Sequence, residues 1–166
     1  MTWTKLDIKT EPGLIQVQEE KTCGNWVRKG LVTFSKFGFE NNVSLIDVHG
    51  TFQLLLTKVK GITIISVYQS SNCSNLESIM DFVSQYKTEY FLVIGNFNFT
   101  QDTKNLLTNQ LKVWNFNQLI DFPTHKEGTT IDHAYVSKKL STSTVSEPHY
   151  TYYSDHQGLF LNIIKK

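Results

Sequence analysis

Three polar clusters stand where predicted strands end, and their residue types suit phosphate and metal chemistry. The first, Gly95–Asn98, follows the apolar run Tyr90–Ile94. The second places Asp132 and His133 inside an apolar segment, and the third is the tripeptide Ser154–His156. A carboxylate beside an imidazole can support general acid–base catalysis or metal ligation, and amide side chains can position a phosphate or a water.

Each cluster alone also has an ordinary structural interpretation. Gly95–Asn98 fits a polar turn that closes a core strand, because Asn tolerates left-handed turn geometry. Asp132 and His133 would be a hydrogen-bonded pair on an exposed strand face, and Ser154–His156 would be a surface turn. Only the order and spacing of the three clusters together favour a functional site.

Strands dominate the predicted secondary structure that must position these clusters. Alternating or continuous apolar residues predict strands over residues 14–20, 26–35, 51–60, 62–69, 90–97, 130–137, 151–153 and 158–164. Helical spacing predicts one helix that carries Leu76, Ile79, Met80 and Val83, begun by a capping box at Ser74–Glu77, and a second that carries Leu107, Leu111 and Trp114. No linker or repeat divides the pattern, so we predict a single mixed α/β domain over residues 1–166.

Composition narrows the class of protein. With 166 residues, 40% of them hydrophobic, and only 3 Pro and 9 Gly, the chain is expected to be globular rather than disordered or fibrous. Its formal net charge of +1 excludes a broad basic field. We find no secretory signal or membrane-length apolar run and predict an intracellular protein, nuclear or cytoplasmic. Cys23 and Cys73 have no C-x-x-C pattern and are expected to be reduced thiols.

Taken together, the clusters resemble the C-terminal signature of the endonuclease/exonuclease/phosphatase superfamily, which includes DNase I-like and AP-endonuclease-like enzymes. The family pattern reads Gly-Asp-Phe-Asn, then Pro-Thr with Ile-Asp-His-Ile-Phe-Val-Ser, then Ser-Asp-His. Here the matching segments are Gly95–Asn98, Pro123-Thr124 with Ile131–Ser137, and Ser154–His156. The resemblance is closest to the endonuclease domains of mobile elements, both non-LTR retrotransposons and Helitron-like elements.

The resemblance implies a sandwich of two β-sheets flanked by helices, and metal-dependent hydrolysis of a phosphodiester, usually with Mg²⁺. In that chemistry the metal neutralises phosphate charge, an Asp deprotonates the attacking water, and a His held by another Asp stabilises the transition state. By position, the resemblance assigns the phosphate-facing imidazole to His156 and its orienting partner to Asp132. It assigns a metal-side carboxylate to Asp155, and contacts to phosphate, water and metal to Asn98. Tyr68 would be a further contact to phosphate.

Two departures from the family pattern affect its catalytic groups. The catalytic Asp of the family falls at Asn96, and an amide cannot take a proton from water at neutral pH. The segment Met1–Thr4 fits a family segment Glu-Thr-Trp-Leu, with Met1 in place of the metal-binding Glu. A competing alignment puts Gln18 and Glu19 in that metal motif. Under the preferred alignment the domain is a shortened one, without the first strand, helix and strand of the family.

These departures predict a catalytically impaired derivative of a mobile-element endonuclease, a pseudonuclease that acts by protein or nucleic-acid binding. We expect no cofactor, and a second copy or a protein partner that covers the shortened sheet, with DNA as a further partner. The alternative is a weakly active endonuclease or phosphodiesterase that uses Mg²⁺ or Mn²⁺. That alternative requires a replacement carboxylate, for which Glu19 and Asp102 are the candidates.

Overall fold

The computed structural model describes residues 14–16, 20–22, 25–27, 31–34, 40, 44–48, 52–71, 76–100, 106–145, 149–150 and 153–165. The strands within these ranges are β1 (Leu14–Gln16), β2 (Glu20–Thr22), β3 (Asn25–Val27), β4 (Val32–Phe34), β5 (Ser44–Val48), β6 (Phe52–Val59), β7 (Ile62–Gln69), β8 (Phe91–Asn96), β9 (Phe116–Gln118), β10 (Asp132–Ser137), β11 (Leu140–Val145), β12 (His149–Tyr150), β13 (Gln157–Gly158) and β14 (Leu161–Lys165). The helices are α1 (Leu76–Tyr86) and α2 (Leu106–Val113).

Six strands form the main sheet, in the order β5-β6-β7-β8-β10-β9. Strands β7 and β8 run parallel, and the other neighbours are antiparallel. The parallel pair needs a crossover connection, and α1 lies in the chain between the two strands. Strands β6 and β7 are joined at Lys60 and Gly61, whose φ angles of 49° and 69° are both positive, as a tight hairpin turn requires.

One face of the main sheet packs against the two helices. Alternate residues of β7 are buried, among them Ile65 and Val67. They belong to the same core cluster as Val93 of β8 and the helix residues Ile79 and Leu107. The apolar stripes predicted for the two helices are therefore confirmed as core contacts.

The opposite face of the sheet has a second, smaller core. Leu92 of β8 and Val136 of β10 are buried there, with Leu161 and Ile163 of β14 packed against them. Strand β14 pairs with β11 in a separate two-stranded sheet. The described chain therefore forms three layers, helices, main sheet and β11–β14, which is the α/β sandwich arrangement expected from the sequence. None of its described helices is long and apolar enough to cross a membrane.

The predicted elements agree best with those of the structure where apolar residues alternate or run continuously. The bounds of β7 are those predicted, and β6, β8 and β10 lie inside predicted ranges. The range 26–35 contains most of β3 and all of β4, which are separate strands, and residues 158–164 contain the end of β13 and most of β14. Tyr153 lies in a turn and not in a strand, so that part of the prediction is wrong; Thr151 and the proposed cap at Ser74 lie outside the described residues.

Gly95 is fixed by its contact with the neighbouring strand. Its φ is +148°, and a Cβ at this position would lie 1.9 Å from the carbonyl oxygen of Val67, its partner in the parallel ladder. We expect Gly95→Ala to lower the free energy of unfolding by about 1–3 kcal/mol, because the strands would have to separate. The control is Gly128→Ala, since Gly128 also has a positive φ of +79° but nothing within 4 Å of its Cβ position. Urea unfolding should give the larger loss for Gly95→Ala, and equal losses would contradict this account.

Candidate functional site

Tyr68, Asn96 and Asp132 form a row across three neighbouring strands. Tyr68 is the partner of Asn96 in the β7–β8 ladder, and Asn96 is the partner of Asp132 in the β8–β10 ladder. Partners in register project from the same face of a sheet, and residues two apart along a strand share that face. The row therefore lies on the face of the second core, beyond Ile94, which packs in that core.

The chain turns directly after this row. Asn98 has a φ of 52°, and its backbone N–H donates a 2.8 Å hydrogen bond to Oδ1 of Asn96. The side-chain Nδ2 of Asn98 donates to the backbone carbonyl of Gln69. Because a backbone N–H only donates, the Asn96 atom that faces it is the carbonyl oxygen. The Nδ2 group of Asn96, a hydrogen-bond donor, therefore points away from the Asn98 N–H.

Asp132 and His156 form a hydrogen-bonded pair at one end of the row. Oδ2 of Asp132 accepts from Nδ1 of His156 at 2.8 Å, and the Asp132 side chain is mostly buried. The carboxylate fixes both the orientation of the imidazole and the nitrogen that carries the proton. Any ligand of His156 must then be bound through Nε2. The two residues that the family resemblance pairs are thus in contact.

Thr124 holds Asp132 in place from the loop before β10. Its side chain is fully buried, and Oγ1 accepts hydrogen bonds from the backbone N–H groups of Ile131, at 3.1 Å, and Asp132, at 3.0 Å. The Ile131 carbonyl accepts in turn from the N–H of Phe97 at 2.9 Å. The Pro-Thr element of the sequence motif therefore has a physical role, because its hydroxyl sets the start of the strand that carries Asp132.

His125 was not singled out from the sequence, and it lies beside the predicted site. His125 and His156 are opposite each other in an isolated antiparallel bridge, and their rings are 5.2 Å apart, edge to face. Nε2 of His125 lies 3.5 Å from Oδ2 of Asp155. The sequence around His125 has no motif that marks it as a functional residue. The bridge brings together positions 125 and 156, which are thirty-one residues apart.

Asp155 is placed on the open side of this group. Its pKa is lowered, first because the carboxylate accepts a hydrogen bond from its own backbone N–H, and further by His125, His156 and the positive charge of Lys126. Its side chain is about half exposed. Asp155 therefore remains ionised at neutral pH and adds a negative charge beside the two imidazoles, in addition to that of Asp132.

His133 lies on the other face of β10, which rules out the ordinary interpretation of Asp132 and His133 as an exposed pair. His133 is fully buried. Its Nδ1 lies 3.0 Å from the hydroxyl of Tyr135 and its Nε2 lies 3.3 Å from the carbonyl of Thr130, while its ring stacks on Phe97 at 5.0 Å. Burial lowers the pKa of His133. A neutral ring that donates from Nε2 to Thr130 and accepts at Nδ1 satisfies both contacts, so His133 is a core residue.

The donors present at the site differ from those that Mg²⁺, the ion implied by the family resemblance, requires. Mg²⁺ requires oxygen ligands, chiefly carboxylates. In the part of the chain that the structure describes, the candidate metal-ligating group consists of Asp155 with His125 and His156, two imidazoles and one carboxylate. The set does not fit Mg²⁺, and we derive no catalytic step through that ion. Glu19 and Asp102, the candidate replacement carboxylates, lie outside the described residues.

Comparison with solved structures shows a shared fold. The chain is similar to the endonuclease domain of TRAS1, a telomere-specific non-LTR retrotransposon, with 18% identity and a TM-score of 0.51 over 74% of this chain and 67% of that domain. It is also similar to the cytolethal distending toxin of Haemophilus ducreyi, with 14% identity and a TM-score of 0.51 over 81% of this chain and 60% of that chain. No protein-family model and no curated protein matches the sequence.

These likenesses define a class. The chain has a DNase I-like α/β fold, the endonuclease/exonuclease/phosphatase type, which confirms the fold expected from the motif resemblance. It spans less than two thirds of the length of the toxin chain. At such identities the likeness establishes the fold and leaves the activity to be argued from the site.

Because His133 is buried and neutral, we expect acid to destabilise the protein through this residue. The unfolded chain binds a proton near pH 6.5 and the folded chain does so only at lower pH. Its contribution is fully present above pH 6.5 and is lost as pH falls from there through the lowered folded pKa. One such proton changes the free energy of unfolding by at most about 1.4 kcal/mol per pH unit.

Urea unfolding of the wild type and of His133→Gln, from about pH 7 to about pH 5, measures this slope. The variant should be less stable at every pH, with a shallower dependence on pH. Thr108→Val is the matched control, since Thr108 Oγ1 lies 3.4 Å from the Tyr135 hydroxyl and carries no titratable group. It should lose stability and keep the slope. An unchanged slope in His133→Gln would show that another group titrates.

Proposed function

We propose that this protein is a pseudonuclease, a catalytically impaired derivative of a mobile-element endonuclease domain that binds nucleic acid by its phosphodiester chain. One observation carries the proposal. Neutral Asn96 occupies the centre of the row between Tyr68 and Asp132, while the Asp132–His156 pair at the end of the row is intact. The groups that would contact a phosphate are retained, and the group that would activate water is replaced.

The replacement at Asn96 removes two properties needed for hydrolysis. An amide has no negative charge to attract a cation, and it cannot accept a proton at neutral pH. A positioned general base is worth about 10²–10⁴-fold in rate. The hydrogen bond from the Asn98 N–H to Oδ1 of Asn96 also engages the oxygen that a water would otherwise approach.

The same replacement favours binding of an anion. A carboxylate at position 96 would repel a phosphate, whereas the Nδ2 group of Asn96 can donate to a phosphate oxygen. The Tyr68 hydroxyl is a further donor on this side of the sheet, and His156, which Asp132 holds at Nδ1, can contact a ligand through Nε2. Lys126, whose charge acts on Asp155, adds a positive group near the bridge. Since the net charge of the chain is only +1, the binding is local and depends on few phosphate contacts.

A protein partner is the second part of the proposal. Within the described part of the chain, β5 and β9 lie at the two ends of the main sheet, and each pairs with a single neighbour in it. An edge strand offers backbone groups to which a second copy or another protein can add a strand. This supports a role in a complex, in which the phosphodiester site and the sheet edges serve different partners.

Binding and cleavage can be measured separately on the same protein. We expect the wild type to bind a fluorescein-labelled DNA duplex in an anisotropy titration, with affinity that falls as salt rises. His156→Ala should weaken binding several-fold. Lys112→Ala removes a positive charge from α2, on the helical face, and serves as the control with little effect. Plasmid nicking with Mg²⁺ or Mn²⁺ should stay at the level of buffer. Nicking by the wild type that disappears in His156→Ala would overturn the proposal.

Returning a carboxylate to the centre of the row tests the role of Asn96 directly. We expect Asn96→Asp to weaken DNA binding without metal, because it adds a negative charge beside the phosphate. We also expect Mn²⁺-dependent nicking to rise above the buffer level of the wild type, because a positioned general base is worth about 10²–10⁴-fold in rate. Asn117→Asp makes the same charge change at an exposed position of β9 and should alter neither property. A variant Asn96→Asp that binds as tightly as the wild type would contradict the electrostatic argument.

A further inference from the structure

His125, Asp155 and His156 form a compact group of metal-ligating side chains. One ligand atom from each residue lies within 4.8 Å of the others. The group contains two nitrogen donors and one oxygen donor, on the side of the sheet where the chain is partly exposed. His125, which has no part in the proposed contacts to phosphate, completes the group.

Backbone hydrogen bonds hold these residues in place. The bridge between His125 and His156 is closed by two of them, from the Lys126 N–H to the Asp155 carbonyl at 2.9 Å and from the Gln157 N–H to the Thr124 carbonyl at 2.8 Å. Directly opposed residues in such a bridge have their Cβ atoms about 4.5–5.5 Å apart. The two imidazoles are therefore brought together by the main chain before any ligand binds.

His156 already has the outer contact typical of a metal-bound histidine. Its Nδ1 donates to Asp132, so Nε2 is the ligating nitrogen, and a carboxylate behind a ligating imidazole raises its basicity and fixes its orientation. His125 has two neighbours at Nδ1, the N–H of Glu127 at 3.3 Å and the Glu127 carboxylate at 3.9 Å. Because Nδ1 accepts from the Glu127 N–H, a neutral His125 carries its proton on Nε2, which faces Asp155. A cation that binds at Nε2 would displace that proton, and the ring would then carry its proton on Nδ1, where the Glu127 carboxylate can accept a hydrogen bond from it.

The local charge and the donor types select the kind of cation. Among the described residues, Asp155, Asp132 and Glu127 place three carboxylates around the two imidazoles, and the positive charge of Lys126 acts on Asp155. Imidazole nitrogen suits borderline metals such as Zn²⁺, Co²⁺ and Ni²⁺, whereas Mg²⁺ keeps oxygen ligands and water. Two His and one Asp make a three-ligand set, which leaves a coordination position for water or a phosphate oxygen.

We propose that His125, Asp155 and His156 bind a borderline divalent cation of the Zn²⁺ type, with Asp132 as the outer partner of His156. The proposal does not depend on nucleic-acid binding, because the site is defined by protein ligands alone. A protein that binds Zn²⁺ and not DNA would support the metal site and contradict the proposed function. A protein that binds DNA and not Zn²⁺ would contradict the metal site and support the proposed function.

The test is a titration of the full chain with Zn²⁺, followed by calorimetry, and with Co²⁺, followed by its visible absorption. We expect one metal ion per chain in the micromolar range and no competition from millimolar Mg²⁺. His125→Asn and Asp155→Asn should each weaken binding by at least about tenfold, since loss of even an outer-shell partner costs about 10–100-fold. Asp81→Asn, the same charge change at an exposed position of α1, should leave binding unchanged.

A measurement on the wild type keeps the test independent of how the variants fold. In imidazole NMR spectra of the wild type, substoichiometric Co²⁺ should broaden the ring signals of two histidines, His125 and His156, before the others. Binding that is equally strong in His125→Asn, binding displaced by Mg²⁺, or no binding below millimolar Zn²⁺ would each overturn the proposal.

Discussion

The register of three strands, β7, β8 and β10, is the constraint on which the site depends. It sets Tyr68, Asn96 and Asp132 in one row, and the close approach at Gly95 allows β8 to lie against Val67 without a side chain between them. The core on the helical face and the core against β14 both depend on the same alternation of side chains along β8 and β10. Packing and site geometry therefore have one common cause, and a change that disturbs one disturbs both.

The parts of the fold that could be predicted are those with a clear apolar period. Strand β7 has alternating apolar residues and the two helices have apolar residues at helical spacing, in each case over most of the element. In these elements the tertiary contacts agree with the local preference. Strand β9 has only three residues, and β11, over Leu140–Val145, is rich in Ser and Thr without a strong apolar alternation. Such strands form because a neighbouring strand supplies hydrogen bonds, and the residues of the strand itself do not show which neighbour that is.

The site was predictable to the extent that its residues follow the family motif. Asp132 and His156 were paired by resemblance, and the hydrogen bond between them agrees. The ordinary interpretation of Asp132 and His133 as an exposed pair fails, because strand alternation puts neighbouring residues on opposite faces and His133 is buried. His125 was missed because its importance arises only from the bridge to position 156. A contact between two loops has no signature in the spacing of either.

The neighbours Asp132 and His133 have a consequence for how the chain finds its register. A slip of β10 by one residue would exchange the two faces, so that the Asp132 carboxylate would enter the aromatic pocket of Phe97 and Phe99, which now contact His133, and the imidazole would meet the open side. An unpaired charge in such a pocket is strongly unfavourable. Asp132 serves the site and His133 serves the core, so this dipeptide also opposes a wrong register of β10. The charge of Asp132 makes that wrong pairing of the sheet unfavourable.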